Sequence, residues 1–266
     1  MLKKFCAIAL ALFAVIAAGA EKPRLTVGNA ANGAPVNIVQ HEALKMAFSG
    51  EYEVAMKHLK PSEALSALQH HEVDMLILDT RFLPEKRAGW RIYPYAAEAL
   101  CFYIHPGNPL GSLTKAEAVK ILTAAQPHWR EYNGSAADIQ RIMLKSGSAG
   151  ATLVNRVLGN LDLAAGIFRV SNLPQLFAFL NPAALGAGPF QPERSAEIIA
   201  VPVHDIAPTT ATVSAGTYPL TVQYALICRE TPAPAVEKLL NSVLAPAALK
   251  KLYDLNMIPV WKGQQL

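Results

Sequence analysis

Apolar residues along this chain recur at two spacings. Short runs are either continuous or alternate with polar residues, and between them lie longer stretches where apolar positions return every three or four residues. That alternation of strand-like and helix-like periods is the pattern of an α/β protein. Arg24 to Val27 opens as a strand, and a Gly/Asn/Ala loop (Gly28 to Gly33) follows it. Pro35 then suits a first helical position. Val36, Val39, Leu44, Ala43, Ala47 and Phe48 share one face of the helix it starts. Tyr52, Val54 and Met56 alternate as in a half-buried strand, and Ser62 precedes a helix carrying Leu65 and Leu68. The continuous run Val73 to Leu78 reads as a strand buried on both faces.

The same reading predicts a strand from Leu100 to Ile104 that ends at His105-Pro106-Gly107-Asn108-Pro109. Thr114 and Glu117 have the spacing of a capping box, so a helix starts there. Ile139 to Leu144 forms a strand running into Lys145-Ser146-Gly147-Ser148-Ala149-Gly150-Ala151, and a helix from about Thr152 to Leu158 follows. Leu173 to Leu180 is a short helix, and residues 186–195, rich in Gly and Pro, are expected as loop. Ile198 to Val203 and Leu220 to Cys228 are strands; Ala233 to Leu244 and Ala247 to Leu255 close the chain as helices.

The beginning of the chain breaks this pattern. Lys3 and Lys4 precede an uncharged apolar stretch, Phe5 to Ala18, and Ala18-Gly19-Ala20 supplies small residues for a peptidase. This is the plan of a secretory signal cleaved near Ala20, which places the mature protein in the periplasm or outside the cell. The apolar run is shorter than the roughly 20 residues that span a bilayer. Cys6 sits too early for lipid attachment. Removing residues 1–20 takes away two lysines, which lowers the formal net charge from +4 to +2 over 246 residues. Basic residues are scattered and not interleaved with aromatics, so nucleic acid is not an expected partner. Cys101 and Cys228 remain, and an even count in an exported chain permits one disulfide; two buried thiols is the other reading.

Three segments carry candidate chemistry. A glycine-containing loop between a strand and a helix, Lys145 to Ala151, leaves helical N–H groups free for an anion, and the helix dipole favours negative charge there. Lys145, Ser146, Ser148 and Thr152 can add side-chain donors, alongside the backbone of Ala149 and Gly150. An ordinary strand-to-helix turn uses the same residue types. Asp79-Thr80-Arg81 follows the buried strand at its carboxyl end, where open α/β sheets place ligands. There Asp79 can accept a proton from an oxyanion, and Arg81 can neutralise charge or hold Asp79; a surface ion pair is the alternative. Asn29 and Asn32 lie in the first loop, where an amide can reach a ligand or simply serve a turn. His70-His71-Glu72 lacks metal-ligand spacing and reads as solvated surface. No nucleophile elbow or metalloprotease motif occurs, so catalysis is not expected.

The order of motifs resembles phosphate-type periplasmic solute-binding proteins of ABC transporters. The helix–strand unit ALSALQHHEVDMLILDTRFL is similar to the unit before that family's first ligand loop. LCFYIHPGNPLGSLTKAEAVKILT resembles its crossing strand with "NP-x-NP", after which Trp129 matches a family tryptophan. IQRIMLKSGSAGATLV resembles its anion loop, Phe177 to Gly186 its "NP-x-AIGY" segment, and DIAPTTATVSAGTYPLTVQYALICRE with LNMIPV its closing motifs. These stretches span residues 62–260.

The resemblance implies a type II periplasmic-binding-protein-like fold: two α/β lobes, each a mixed sheet flanked by helices, joined by crossing strands. Lobe one would comprise residues 21–104 and 216–266, and lobe two residues 105–215. A small inorganic oxyanion, phosphate first, would bind between them for ABC-type uptake through an inner-membrane permease, with no cofactor and as a monomer. The alternative is a divergent periplasmic sensor or protein-interaction module on the same scaffold. The resemblance also implies that strand 99–105 lies antiparallel beside 222–229, which would bring Cys101 near Cys228 as a disulfide. Departures from the family bear on the ligand. Leu78 stands where the family has Ser, Lys145 where it has Arg, and Ala149 and Ala151 where it has Ser and Thr. Two lost hydrogen bonds to a charged group, about 1.5–3 kcal/mol each, would weaken phosphate binding by about two to four decades.

Overall fold

The computed structural model describes residues 22–31, 35–85, 88–132, 135–193 and 195–263. The candidate leader and Asn32 lie outside these. The chain begins with β1 (Arg24–Asn29), α1 (Pro35–Phe48), β2 (Glu53–His58), α2 (Pro61–Gln69) and β3 (Met75–Asp79). A 3-10 turn, Thr80–Phe82, leads to the long strand β4 (Trp90–Ile104). After it come α3 (Lys115–Thr123), β5 (Gln140–Leu144), α4 (Ala149–Leu158), β6 (Phe168–Val170), α5 (Leu173–Ala178) and β7 (Ala184–Pro189). The rest is β8 (Ile199–Ala200), α6 (Thr210–Ser214), β9 (Thr221–Arg229), α7 (Pro234–Val243), α8 (Pro246–Asp254) and β10 (Ile258–Pro259).

The main strands run in the order β2-β1-β3-β9-β4-β7-β5-β6, with β8 and β10 also paired to β4. β1 is parallel to β2 and β3, and β5 is parallel to β6 and β7, while β9 is antiparallel to β3 and β4. β4 belongs to both halves. From Trp90 to Ala99 it pairs with β9; from Leu100 to Tyr103 it pairs with β7. Two mixed sheets flanked by helices, joined through a strand that changes partner, form the two-lobed architecture.

Most predicted elements stand within a residue or two of their expected ends. The run read as buried on both faces is β3, buried at every position. Thr114 and Glu117 close a capping box at α3: the Thr114 hydroxyl accepts from the Glu117 N–H, and the Glu117 carboxylate accepts from the Thr114 N–H.

The strand predicted to start at Leu100 starts at Trp90, and two further expectations fail. Residues 186–195 were expected as loop, but residues through Pro189 lie in the buried strand β7. A Cβ on Gly186 would sit 2.5 Å from Leu176 Cδ2, and one on Gly188 would sit 2.8 Å from Leu173 Cδ2. The glycines are there because α5 lies directly on the strand, a close-approach use of glycine that composition cannot separate from a turn.

The disulfide fails as well. Cys101 and Cys228 are both buried and are not bonded to each other. β4 starts at Trp90, not near Leu100, so Arg91 is the residue opposite Cys228, while Cys101 lies opposite Gly188 in the other half. Ten residues of strand separate Arg91 from Cys101, about 33 Å at roughly 3.3 Å per residue, far beyond disulfide reach.

Candidate functional site

Asp79 ends β3, whose apolar run holds it at the carboxyl edge of the sheet. It is buried, and its two oxygens accept from Arg81. Arg81 Nε lies 3.1 and 3.0 Å from Oδ1 and Oδ2, its Nη2 lies 2.5 Å from Oδ2, and its backbone N–H lies 3.0 Å from Oδ1. The tight 3-10 turn is what lets a side chain two residues on fold back onto the carboxylate. This fork raises the proton affinity of Arg81, chiefly through its bonds to Asp79. Arg81 is half exposed and paired with Asp79, an arrangement shared by a residue that holds Asp79 and by a surface ion pair. Thr80 uses its carbonyl to accept from the Leu83 N–H.

Asn29 is buried; its Oδ1 accepts from the Ala31 N–H at 3.1 Å, and its Nδ2 lies 3.3 Å from His58 Nδ1. Ala30 and Ala31 line a cavity of about 380 Å³ together with Asp79, Arg81, Arg156 and Tyr224.

The anion-type loop lies on the opposite side. Ser148 is the N-cap of α4, its hydroxyl accepting from the Ala151 N–H at 3.2 Å. Thr152 donates its hydroxyl to the Ser148 carbonyl at 3.1 Å, and its N–H goes to the same oxygen. Both hydroxyls therefore serve the helix end. The first N–H groups of a helix have no intrahelical partner, which leaves those of Ala149 and Gly150 open. Gly150 also has a packing role: a Cβ there would sit 2.4 Å from Leu144 Cδ1 and 3.1 Å from Pro189 Cδ. Lys145 and Ser146 are exposed, and the Lys145 N–H donates to Val170 O at 2.8 Å. Ser148, Ala149 and Gly150 line a second cavity of about 550 Å³, walled mainly by Leu153, Leu173 and Phe177. Lys145, Ser146 and Thr152 line neither cavity.

The predicted residues thus gather in two groups, and three residues not predicted stand between them. Glu98, from the middle of β4, borders the larger cavity; Arg156, two turns along α4, and Tyr224, from β9, border the smaller. Arg156 Nη1 donates to Glu98 Oε1 and to the Tyr224 hydroxyl, which itself donates to Glu98 Oε1. Arg81 Nη1 reaches the Arg156 carbonyl at 3.3 Å, so a bond from the β3 turn to α4 also crosses the cleft. The Arg156 and Glu98 side chains are only 13% and 10% exposed. Burial, the largest influence, raises the proton affinity of Glu98 above its ordinary value, against the opposing pull of Arg156 and Tyr224. Burial and the neighbouring carboxylate likewise push the Tyr224 hydroxyl upward.

Only Glu98 left a signal in the sequence. It is the one charged residue in the run Ala96 to Ile104, and a charge buried in a strand calls for a partner. Arg156 looks like any helix arginine, and Tyr224 like any strand tyrosine. No group of three or more His, Cys, Asp or Glu able to hold a metal occurs among the described residues. Nor is any helix among them long and apolar enough to cross a membrane.

The family model described as the PBP superfamily domain matches residues 17–247. Compared by sequence with curated proteins, the chain has no match. Solved structures share its fold. A possible phosphate binding protein from Planctomyces limnophilus is 18% identical, with a TM-score of 0.73 over 90% of this chain and 93% of that one. PstS from Borrelia burgdorferi is 14% identical, with a TM-score of 0.70 over 90% of this chain and 99% of the other. An ABC-type phosphate transport receptor from Vibrio cholerae is 16% identical, with a TM-score of 0.62 over 89% and 99% of the two chains.

Proposed function

We propose, given that the chain belongs to the PBP superfamily, that it is an exported solute-binding protein closing on a small oxyanion. Phosphate is the first candidate, and delivery to an ABC permease of the inner membrane is the proposed role, the protein acting as a periplasmic monomer. The lobes are taken as residues 21–104 with 216–266, and residues 105–215, with Leu100 to Ile104 of β4 already paired to strands of the second lobe. Asp79 and Arg81 belong to the first lobe; Lys145, Ser146, Ser148, Thr152 and the amides of Ala149 and Gly150 belong to the second.

The observation that carries this reading is the Asp79–Arg81 fork at the carboxyl end of β3, bonded across the cleft to α4. Open α/β sheets bind ligands at that edge. Hinge motion where β4 changes partner would open and close the cleft. The sensor or interaction reading has its own support: the hydroxyls of Ser148 and Thr152 are committed to the helix end, and the cleft is bridged by the chain's own side chains.

Thermal unfolding of the mature protein with phosphate, sulfate, molybdate, phosphonates and small carboxylates separates the two. An anion at about 100 times its dissociation constant adds roughly 2.7 kcal/mol of stability. The expected result is a shift with phosphate or a related oxyanion that is lost in Asp79→Ala and in Arg81→Gln. If no anion shifts the transition, the uptake role fails and the interaction reading replaces it.

A further inference from the structure

Asp79, Arg81, Glu98 and Arg156 form one connected cluster whose formal charges cancel. A charge-balanced cluster does not attract an anion. At its buried end, formed by Glu98 and Arg156, a further negative charge is left uncompensated, and that is expensive. An anion is accommodated only if one of the carboxylates gives up its charge. Asp79 is already taken up by Arg81, through three side-chain N–H contacts and one backbone N–H.

Glu98 is differently placed. Arg156 and Tyr224 both reach its Oε1, and Arg156 is the side chain an anion would compete for. Arg156 commits Nη1 alone, while its Nε and Nη2 have no acceptor among the described residues. It also borders the 380 Å³ cavity beside Arg81. Two guanidinium groups border one small cavity, and Arg156 can offer an oxyanion the parallel N–H bonds of its uncommitted Nε and Nη2.

Resting on the oxyanion reading above, we propose that a small oxyanion binds in this cavity through Arg81 and Arg156. It draws Arg156 away from Glu98, and Glu98 takes up one proton from solvent as the anion enters. One anion and one proton go in. An O–H bond forms on a Glu98 carboxylate oxygen, the proton comes from buffer, and no other covalent bond changes.

The surroundings of Glu98 favour this. Arg156 faces it from α4, Tyr224 from β9 and Asp79 from β3, while Glu193, after β7, shares the larger cavity with it. Once Arg156 turns away, burial and the Asp79 carboxylate oppose the charge on Glu98, and the Tyr224 hydroxyl still supports it. Protonation is then the least costly state for a buried carboxylate. Burial already holds Glu98 above its ordinary value with Arg156 in place.

Calorimetric titration with sulfate, which carries no titrating proton near neutrality, and with phosphate tests the coupling. The wild-type protein is titrated in buffers of different ionisation enthalpy. The expected result is uptake of close to one proton per sulfate. Glu98→Gln, which cannot hold Arg156 as a carboxylate does, is expected to bind about tenfold or more tightly with no uptake. Arg156→Gln is expected to lose about tenfold to a hundredfold, one to two charged hydrogen bonds. Arg156→Lys keeps the charge without the fork, so intermediate affinity at an unchanged melting temperature rules out misfolding as the cause. Binding that does not depend on buffer, or that survives Arg156→Gln, overturns this inference and leaves the oxyanion reading standing. If neither the wild type nor Glu98→Gln binds either anion, both fall.

Discussion

Gly186 is where a missing methyl decides the structure. Its Cα faces α5, and an added Cβ would lie 2.5 Å from Leu176 Cδ2, 3.2 Å from Leu176 Cγ and 3.3 Å from Leu180 Cδ2. Leu176 is fully buried and cannot swing aside. Gly186→Ala is therefore expected to destabilise the protein by about 1–3 kcal/mol, the usual effect of overpacking a filled core. A denaturant melt with unchanged slope and an earlier midpoint would show it; an unchanged midpoint would mean that α5 moves off the strand freely. The same residue explains why sequence reading took this segment for a loop. Glycine and proline mark turns and close approaches alike, and only the leucines of α5 distinguish them.

At the level of elements, Glu42 of α1 ties three helices together. Its Oε1 lies 2.9 Å from Lys45 Nζ and 3.6 Å from Lys251 Nζ of α8, and its Oε2 accepts from Ser242 Oγ of α7 at 2.7 Å. Burial alone would raise its proton affinity. The bonds from Lys45 and Ser242 and the charges of both lysines outweigh that and hold the group below its ordinary value of 4.5. A depressed carboxylate stabilises the fold above its unfolded value and loses that contribution as pH falls through the folded one. Glu42→Gln should cost about 1–3 kcal/mol near neutral pH. The gap between wild type and variant, followed by thermal melts, should close as pH drops below about 4.5. A gap that persists in acid would assign the loss to packing instead. The elements themselves were largely legible. The Thr114 capping box, the continuous run of β3 and the apolar stripes of α7 and α8 are local signals, and each element forms where its own residues dictate.

Over the whole molecule, the run of β4 through both sheets decides which residues meet. Because that strand starts at Trp90, the two cysteines lie in different halves of the protein. Burial pushes the Cys228 thiol up to about 11, which keeps it protonated and unreactive. Mass measurement of the mature chain is expected to give the same value before and after reduction. Iodoacetamide should label Cys101 and Cys228 only after unfolding. A two-hydrogen mass difference, or rapid labelling of the native protein, would contradict this arrangement.

The sequence by itself determined the α/β class, the order and ends of most elements, and the two-lobed family, because local periodicity, caps and motif order are written in neighbouring residues. It also located Asp79 and Arg81, since a charged pair closing a buried apolar run stands at a sheet edge whatever lies opposite. Only the tertiary structure decided what the cleft contains. Glu98 and Tyr224 lie 58 and 68 residues from Arg156 along the chain, so nothing local marks the three as partners. The contacts of the Ser148 and Thr152 hydroxyls with the end of α4 likewise came only from the folded chain: the first accepts from the Ala151 N–H and the second donates to the Ser148 carbonyl.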